Sequence, residues 1–92
     1  MIKSFNSKAL AMLFMDGDAR KVQPKHIKRL KLILTMLNVA THPAQMAAPG
    51  LRLHALGGKW KGYFAVSVDE NYRVTFRFKA GHVEEVDYVD YH

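Results

Sequence analysis

The amino-acid sequence predicts an α+β fold, with two N-terminal helices packed on one face of a mainly antiparallel sheet of four to five strands. Three observations carry that expectation. Apolar residues recur at spacings of three and four between Pro24 and Ala40; they alternate with polar residues from Tyr72 to Lys79; and the two patterns occupy different halves of the chain. A chain of 92 residues supplies one core, so a single domain spanning 1–92 is expected. Hydrophobic residues at 49% and charged residues at 24% match an ordinary globular composition, which argues against disorder.

Taken in order, Ile2-Lys3-Ser4-Phe5 alternates like a short strand, and Asn6-Ser7 supplies the N-cap of a helix reaching about Met15, stopped by Gly17. Pro24 suits a helix first turn, and Ile27, Leu30, Leu34 and Leu37, widened by Ile33, form the buried stripe of the second helix. Lys25, Lys28, Arg29 and Lys31 crowd its first half, where the helix dipole disfavours cations, so they read as a solvated face or a partner surface. Residues Thr41 to Gly50, with His42-Pro43 and Pro49-Gly50, form an irregular connection with room for one helical turn. Leu51, Leu53 and Ala55 alternate with Arg52 and His54 as a strand. A loop carrying Lys59, Trp60 and Lys61 follows between Gly57-Gly58 and Gly62. Tyr63 to Val68 is the next strand and Asp69-Glu70-Asn71 a turn. Tyr72, Val74, Phe76 and Phe78 then face the helices, while Arg73, Thr75, Arg77 and Lys79 give the other side of the sheet a cationic lining. Ala80-Gly81 turns into a last strand from His82 to about Tyr88, ending in Asp90-Tyr91-His92.

The absence of cysteine excludes disulfide scaffolds, cysteine-based zinc clusters and thiol catalysis. No P-loop, dinucleotide fingerprint, H-E-x-x-H or nucleophile elbow is present. A formal charge of +6 points to anionic partners such as nucleic acid. The apolar run Ala9 to Met15 leads into Asp16-Gly17-Asp18 rather than a signal-peptidase site, so a soluble, cytoplasmic protein without membrane attachment is expected.

The residues able to do chemistry are His54 and the terminal Asp90, Tyr91 and His92, beside the cations of the open sheet face. His26, His42 and His82 read as polar surface. With a two-residue turn at Ala80-Gly81, Arg73 faces Tyr88, and Tyr88, Asp90 and His92 share its side of the sheet. Two imidazoles, a carboxylate, a phenol and several cations suit RNA cleavage without a metal or cofactor. A ribose 2′-OH attacks the adjacent phosphate, which requires a base, an acid and positive charge for the phosphorane.

Several segments together resemble the HigB toxins of the RelE/ParE superfamily, in particular their GraT-like subgroup. They are Met1 to Phe5, Arg52-Leu53-His54-Ala55-Leu56-Gly57-Gly58, Gly62-Tyr63 with Val66-Ser67-Val68, Asn71 to Phe76, and Asp87 to His92. The resemblance spans essentially the whole chain, with Leu-His-x-Leu and the Asp-Tyr-His ending its most specific parts. It implies a RelE/ParE-like fold and the toxin of a type II toxin–antitoxin pair. Such a toxin acts as an mRNA endonuclease in the ribosomal A site, inhibits translation, and is neutralised by a HigA-like helix-turn-helix antitoxin. By the same resemblance His54, Asp90, Tyr91 and His92 match catalytic positions and Arg73 a phosphate-binding one. His54 or Asp90 would then handle the 2′-OH proton and His92 the leaving group, with Tyr91 orienting RNA or a base. Gly57 and Asp69 stand where the best-known member has a lysine and an arginine, so phosphate binding leans on Arg73, Arg52, Lys59 or Lys61, with Arg77 nearby, and weaker activity is implied. Two other readings remain: a ParE-like gyrase inhibitor, which needs no imidazole pair, and a non-catalytic nucleic-acid-binding module.

Overall fold

The structure, a computed structural model, describes residues 1–91. Helix α1 spans Lys8–Asp16 and begins where the Ser7 hydroxyl accepts the Leu10 N–H at 3.2 Å. It ends at Gly17, whose left-handed φ of 67° lets the N–H groups of Gly17 and Asp18 return to Leu13 and Met12. A 3₁₀ turn at Pro24–His26 runs into α2, Ile27–Val39, which buries Leu30, Ile33, Leu34 and Leu37. The helical turn allowed for in the following connection forms at Pro43–Met46 and buries Met46.

Strands β1 (His54–Ala55), β2 (Tyr63–Ser67), β3 (Tyr72–Lys79) and β4 (His82–Asp90) form an antiparallel sheet in the order β1-β2-β3-β4. Ile2 and Phe5 add single parallel bridges to Val83 and Val86, so the N-terminal segment borders β4 as a partial fifth strand. Val66, Val74, Phe76, Val83 and Val86 project from one sheet face into a core shared with Leu10, Leu13 and the apolar stripe of α2. The other face is left without helices. Among the described residues no helix is long and apolar enough to cross a membrane.

Two local features depart from the sequence expectation. The strand anticipated from Leu51 contracts to His54–Ala55, because Arg52 takes a left-handed φ of 52° that breaks the extended chain. Leu51 is buried all the same, and its carbonyl accepts the Ser67 N–H at 2.7 Å.

The second departure moves the end of the chain. Ala80 and Gly81 both have positive φ and form the expected two-residue turn, so Lys79 opposes His82 and Arg77 opposes Glu84. Further along, however, Thr75 opposes Asp87, one residue out of step. The extra residue sits in a β-bulge containing Glu85, whose φ is 57°. Because side chains alternate with a period of two, that single residue swaps faces for everything after it. Tyr88 opposes Val74 and Asp90 opposes Tyr72 on the helix side, whereas Asp87 and Val89 lie on the Arg73 side. The expected sharing of a face by Arg73, Tyr88 and Asp90 is therefore corrected, and Tyr91 takes the place beside Arg73.

Candidate active site

The open face is ordered in cross-strand rows. His54 pairs with Ala65, Ala65 with Thr75 and Thr75 with Asp87; the neighbouring row holds Ser67, Arg73 and Val89. Strands about 4.8 Å apart and residues two apart along a strand by about 6.8 Å separate the His54 and Arg73 backbones by roughly 12 Å. Between them lie only the small side chains of Ala65 and Ser67, both buried.

His54 is exposed on β1, and its Nδ1 lies 3.0 Å from the Arg52 carbonyl. A carbonyl only accepts, so Nδ1 donates and the neutral ring presents the Nε2 lone pair outward, as a general base requires. The left-handed backbone of Arg52 thus has a chemical consequence: it sets the carbonyl that selects this tautomer.

Arg73 is held from two sides. Its Nη1 donates to the carbonyls of Asp69 at 2.9 Å and Tyr72 at 3.2 Å, and its guanidinium lies 5.3 Å from the centre of the Tyr91 ring. Its Nε is buried with no acceptor among the described residues. Arg73 and Arg52 line a cleft of about 290 Å3 together with Arg29, which the sequence reading assigned only to a basic helix face. Arg29 reaches the cleft because its Nε and Nη2 donate to the carbonyls of Ser67 and Gly50, at 3.2 and 2.5 Å. Asp69 and Glu70 lie at the same cleft and moderate its charge.

The remaining cations differ. Lys59 and Lys61 are exposed on the loop before β2. Arg77 is neutralised by Glu84 at 2.7 Å and Glu85 at 3.3 Å, which removes it from the expected cationic lining, while Arg73 and the exposed Lys79 remain. Glu84 holds the Arg77 guanidinium above its ordinary value.

Asp90 belongs to a network on the opposite face. There the ring of His26, only 2% exposed, sits with Nε2 at 2.6 Å from Asp69 and Nδ1 at 2.5 Å from the Tyr88 hydroxyl. Gln23 donates to the Tyr72 hydroxyl at 2.8 Å. Burial first, and then the Asp90 carboxylate, push the Tyr72 phenol upward; burial does the same to Tyr88. Asp69 is held well below the usual carboxylate range, first by His26 and then by the N–H groups of Asn71 and Tyr72. The sequence assigned His26 to the surface, but its spacing from Leu30, Ile33 and Leu37 places it on the buried stripe. His42 is exposed as expected, whereas His82 is half-buried, its Nδ1 buried without a partner among the described residues. His92 lies outside the described residues. Among the described residues no His, Asp and Glu side chains gather into a group that could hold a metal ion.

The face so built presents an oriented imidazole, a clamped guanidinium and an exposed aromatic ring on one side of an antiparallel sheet. A family model described as the RelE-like toxin HigB of type II toxin–antitoxin systems matches residues 3–92. The chain is 35% identical to the endoribonuclease HigB of Proteus vulgaris, over the whole length of both. In fold it resembles YoeB in the YoeB–YefM complex from Staphylococcus aureus, with a TM-score of 0.64 and 14% identity, covering 100% of this chain and 95% of that one. It also resembles a point mutant of YafQ from E. coli, with a TM-score of 0.54 and 17% identity, covering 98% and 91%. The chain therefore belongs to the HigB-like toxin family.

Proposed function

We propose that this toxin is a ribosome-dependent mRNA endonuclease that arrests translation and growth in the cytoplasm and is held in check by a HigA-like helix-turn-helix antitoxin. Kinship with an endoribonuclease supports the cleavage, and likeness to a toxin solved as the YoeB–YefM complex supports the partner. One observation carries the reading: His54, its tautomer set by the Arg52 carbonyl, presents Nε2 on the same exposed face as Arg73 and Tyr91.

In the proposed reaction Nε2 of His54 takes the 2′-OH proton as the O2′–P bond forms. Arg73, helped by Arg52, Lys59 and Lys61, neutralises the phosphorane, and Tyr91 stacks on a base. Breaking the P–O5′ bond requires a proton for the departing oxygen, a role proposed for His92, and yields a 2′,3′-cyclic phosphate and a 5′-hydroxyl. Asp90 faces Tyr72 rather than the open face, which favours His54 over Asp90 as base and gives Asp90 the role of positioning the terminal residues. No step calls for a metal. Loss of one proton-transfer group costs about 10² to 10⁴-fold.

Mapping of RNA 5′ ends in a translating extract tests this. New ends within translated messages, far fewer on naked mRNA, and their loss in His54→Ala and in a chain lacking residue 92 are expected. Equal cutting of naked and translated RNA would contradict ribosome dependence, and undiminished cutting by both variants would overturn the site.

A further inference from the structure

The open face carries a second cleft, of about 220 Å3, which the cleavage chemistry leaves unused apart from Tyr91 at its edge. Its apolar walls are Leu56, Trp60, Tyr63, Val89 and Tyr91. Trp60 and Tyr91 are about half exposed, at 50% and 49%, although large aromatic rings normally lose more of their surface. Trp60 packs at right angles to Tyr63, ring centres 5.4 Å apart, so the wall is a fixed aromatic corner. The Tyr63 hydroxyl donates to Glu85 at 2.8 Å and Glu85 also meets Arg77, which commits those groups to one another.

Three polar groups remain at the cleft, Asn6 from the N-terminal segment and Asp87 and Thr75, the last two paired directly across β4 and β3. One oxygen of Asp87 accepts only the N–H of Tyr88, at 2.9 Å, and the other has no partner among the described residues. Lys59 and Lys61 stand exposed in the loop that carries Trp60, and the Lys59 ammonium lies 5.8 Å from the Trp60 ring centre. The occupant must therefore be flat and aromatic, offer N–H groups to a carboxylate inside, and carry negative charge outside. The volume lies below the ~300 Å3 at which pockets for drug-sized ligands begin, enough for one ring system. A nucleotide of single-stranded RNA meets all of these conditions, since its base stacks on aromatic side chains and its phosphate meets the lysines.

We propose that this cleft is a base subsite, and that Asp87 selects bases bearing an exocyclic amino group, adenine, cytosine or guanine, over uracil. Uracil flanks its single N–H with two carbonyl oxygens, which the carboxylate repels. The proposal rests on the reading of this face as the RNA surface, and it adds the residues that choose the base.

Trp60 is the sole tryptophan, so its fluorescence reports the cleft directly. The full chain is titrated with AMP, CMP, GMP and UMP, alongside the extract cleavage assay. Quenching by the three amino-bearing nucleotides at concentrations about tenfold below those needed for UMP is expected, a difference of about 1.4 kcal/mol. Asp87→Asn, whose amide both accepts and donates, is expected to bring the four nucleotides within about twofold of one another while its circular dichroism stays unchanged. Emission that no nucleotide alters, equal quenching by all four, or a preference that survives in the variant would overturn the proposal. Message cleavage with a silent Trp60 removes the base subsite alone; selective quenching without cleavage removes the nuclease reading alone.

Discussion

Replacing His26 with alanine removes a buried ring that ties the start of α2 to the β2–β3 turn through Asp69 and to β4 through Tyr88. Each lost hydrogen bond is worth about 1 kcal/mol. The ring also packs against Tyr72 and Tyr88, at 4.9 and 5.8 Å between centres, contacts worth a further ~1 kcal/mol between them, and leaves a cavity behind. Asp69 is partly exposed and regains water, which caps the penalty. The sum is about 3 to 4 kcal/mol, a large fraction of the stability of a small domain. Melting should fall by roughly 12 to 30 °C, at about 4 to 8 °C per kcal/mol. Urea denaturation measures the loss, and His26→Phe separates the contributions by keeping the ring contacts and deleting the hydrogen bonds. A His26→Ala protein within 1 kcal/mol of the parent would show, against the ~3 kcal/mol summed above, that the network does not fasten α2 to the sheet.

Other consequences are as direct. At Glu85, φ of 57° penalises β-branched residues, so Glu85→Val should cost about 2 kcal/mol despite valine's preference for strands, while Glu85→Gly should stay within about 1 kcal/mol of the parent in the same denaturation assay. Asp69 has a folded pKa depressed below its unfolded value, so its stabilisation is complete above about pH 4 and is lost as pH falls further. Thermal unfolding from pH 5 to 2 should therefore show a shallower loss in Asp69→Asn. A residual slope should remain from Asp18, lowered to about 2 chiefly by its hydrogen bonds with Arg20. Arg73→Gln should slow RNA cleavage about 10² to 10³-fold and also lower the melting temperature, because the guanidinium's hydrogen bonds to the Asp69 and Tyr72 carbonyls are lost with it.

Much of the fold was legible because periodicity reports burial. The stripe from Leu30 to Leu37 and the alternation from Tyr72 to Phe78 each define a single buried face, and both occur as read. What escaped has local causes. The bulge at Glu85 carries no glycine to mark it, so nothing in the sequence signals that the pattern slips by one and exchanges Asp90 for Tyr91 on the open face. His26 was hidden by the lysines around it, although its spacing from Leu30 points inward. Arg29 reaches its cleft through tertiary contacts that no local pattern encodes.

The chemistry of the cut RNA ends tests the central claim most directly. Attack by the 2′-OH on the face bearing His54 and Arg73 predicts 5′-hydroxyl fragments paired with 2′,3′-cyclic or 3′-phosphates, formed by the intact toxin and about 10² to 10⁴-fold more slowly by His54→Gln. Fragments with 5′-phosphates and 3′-hydroxyls, or ends produced as fast by His54→Gln, would contradict it.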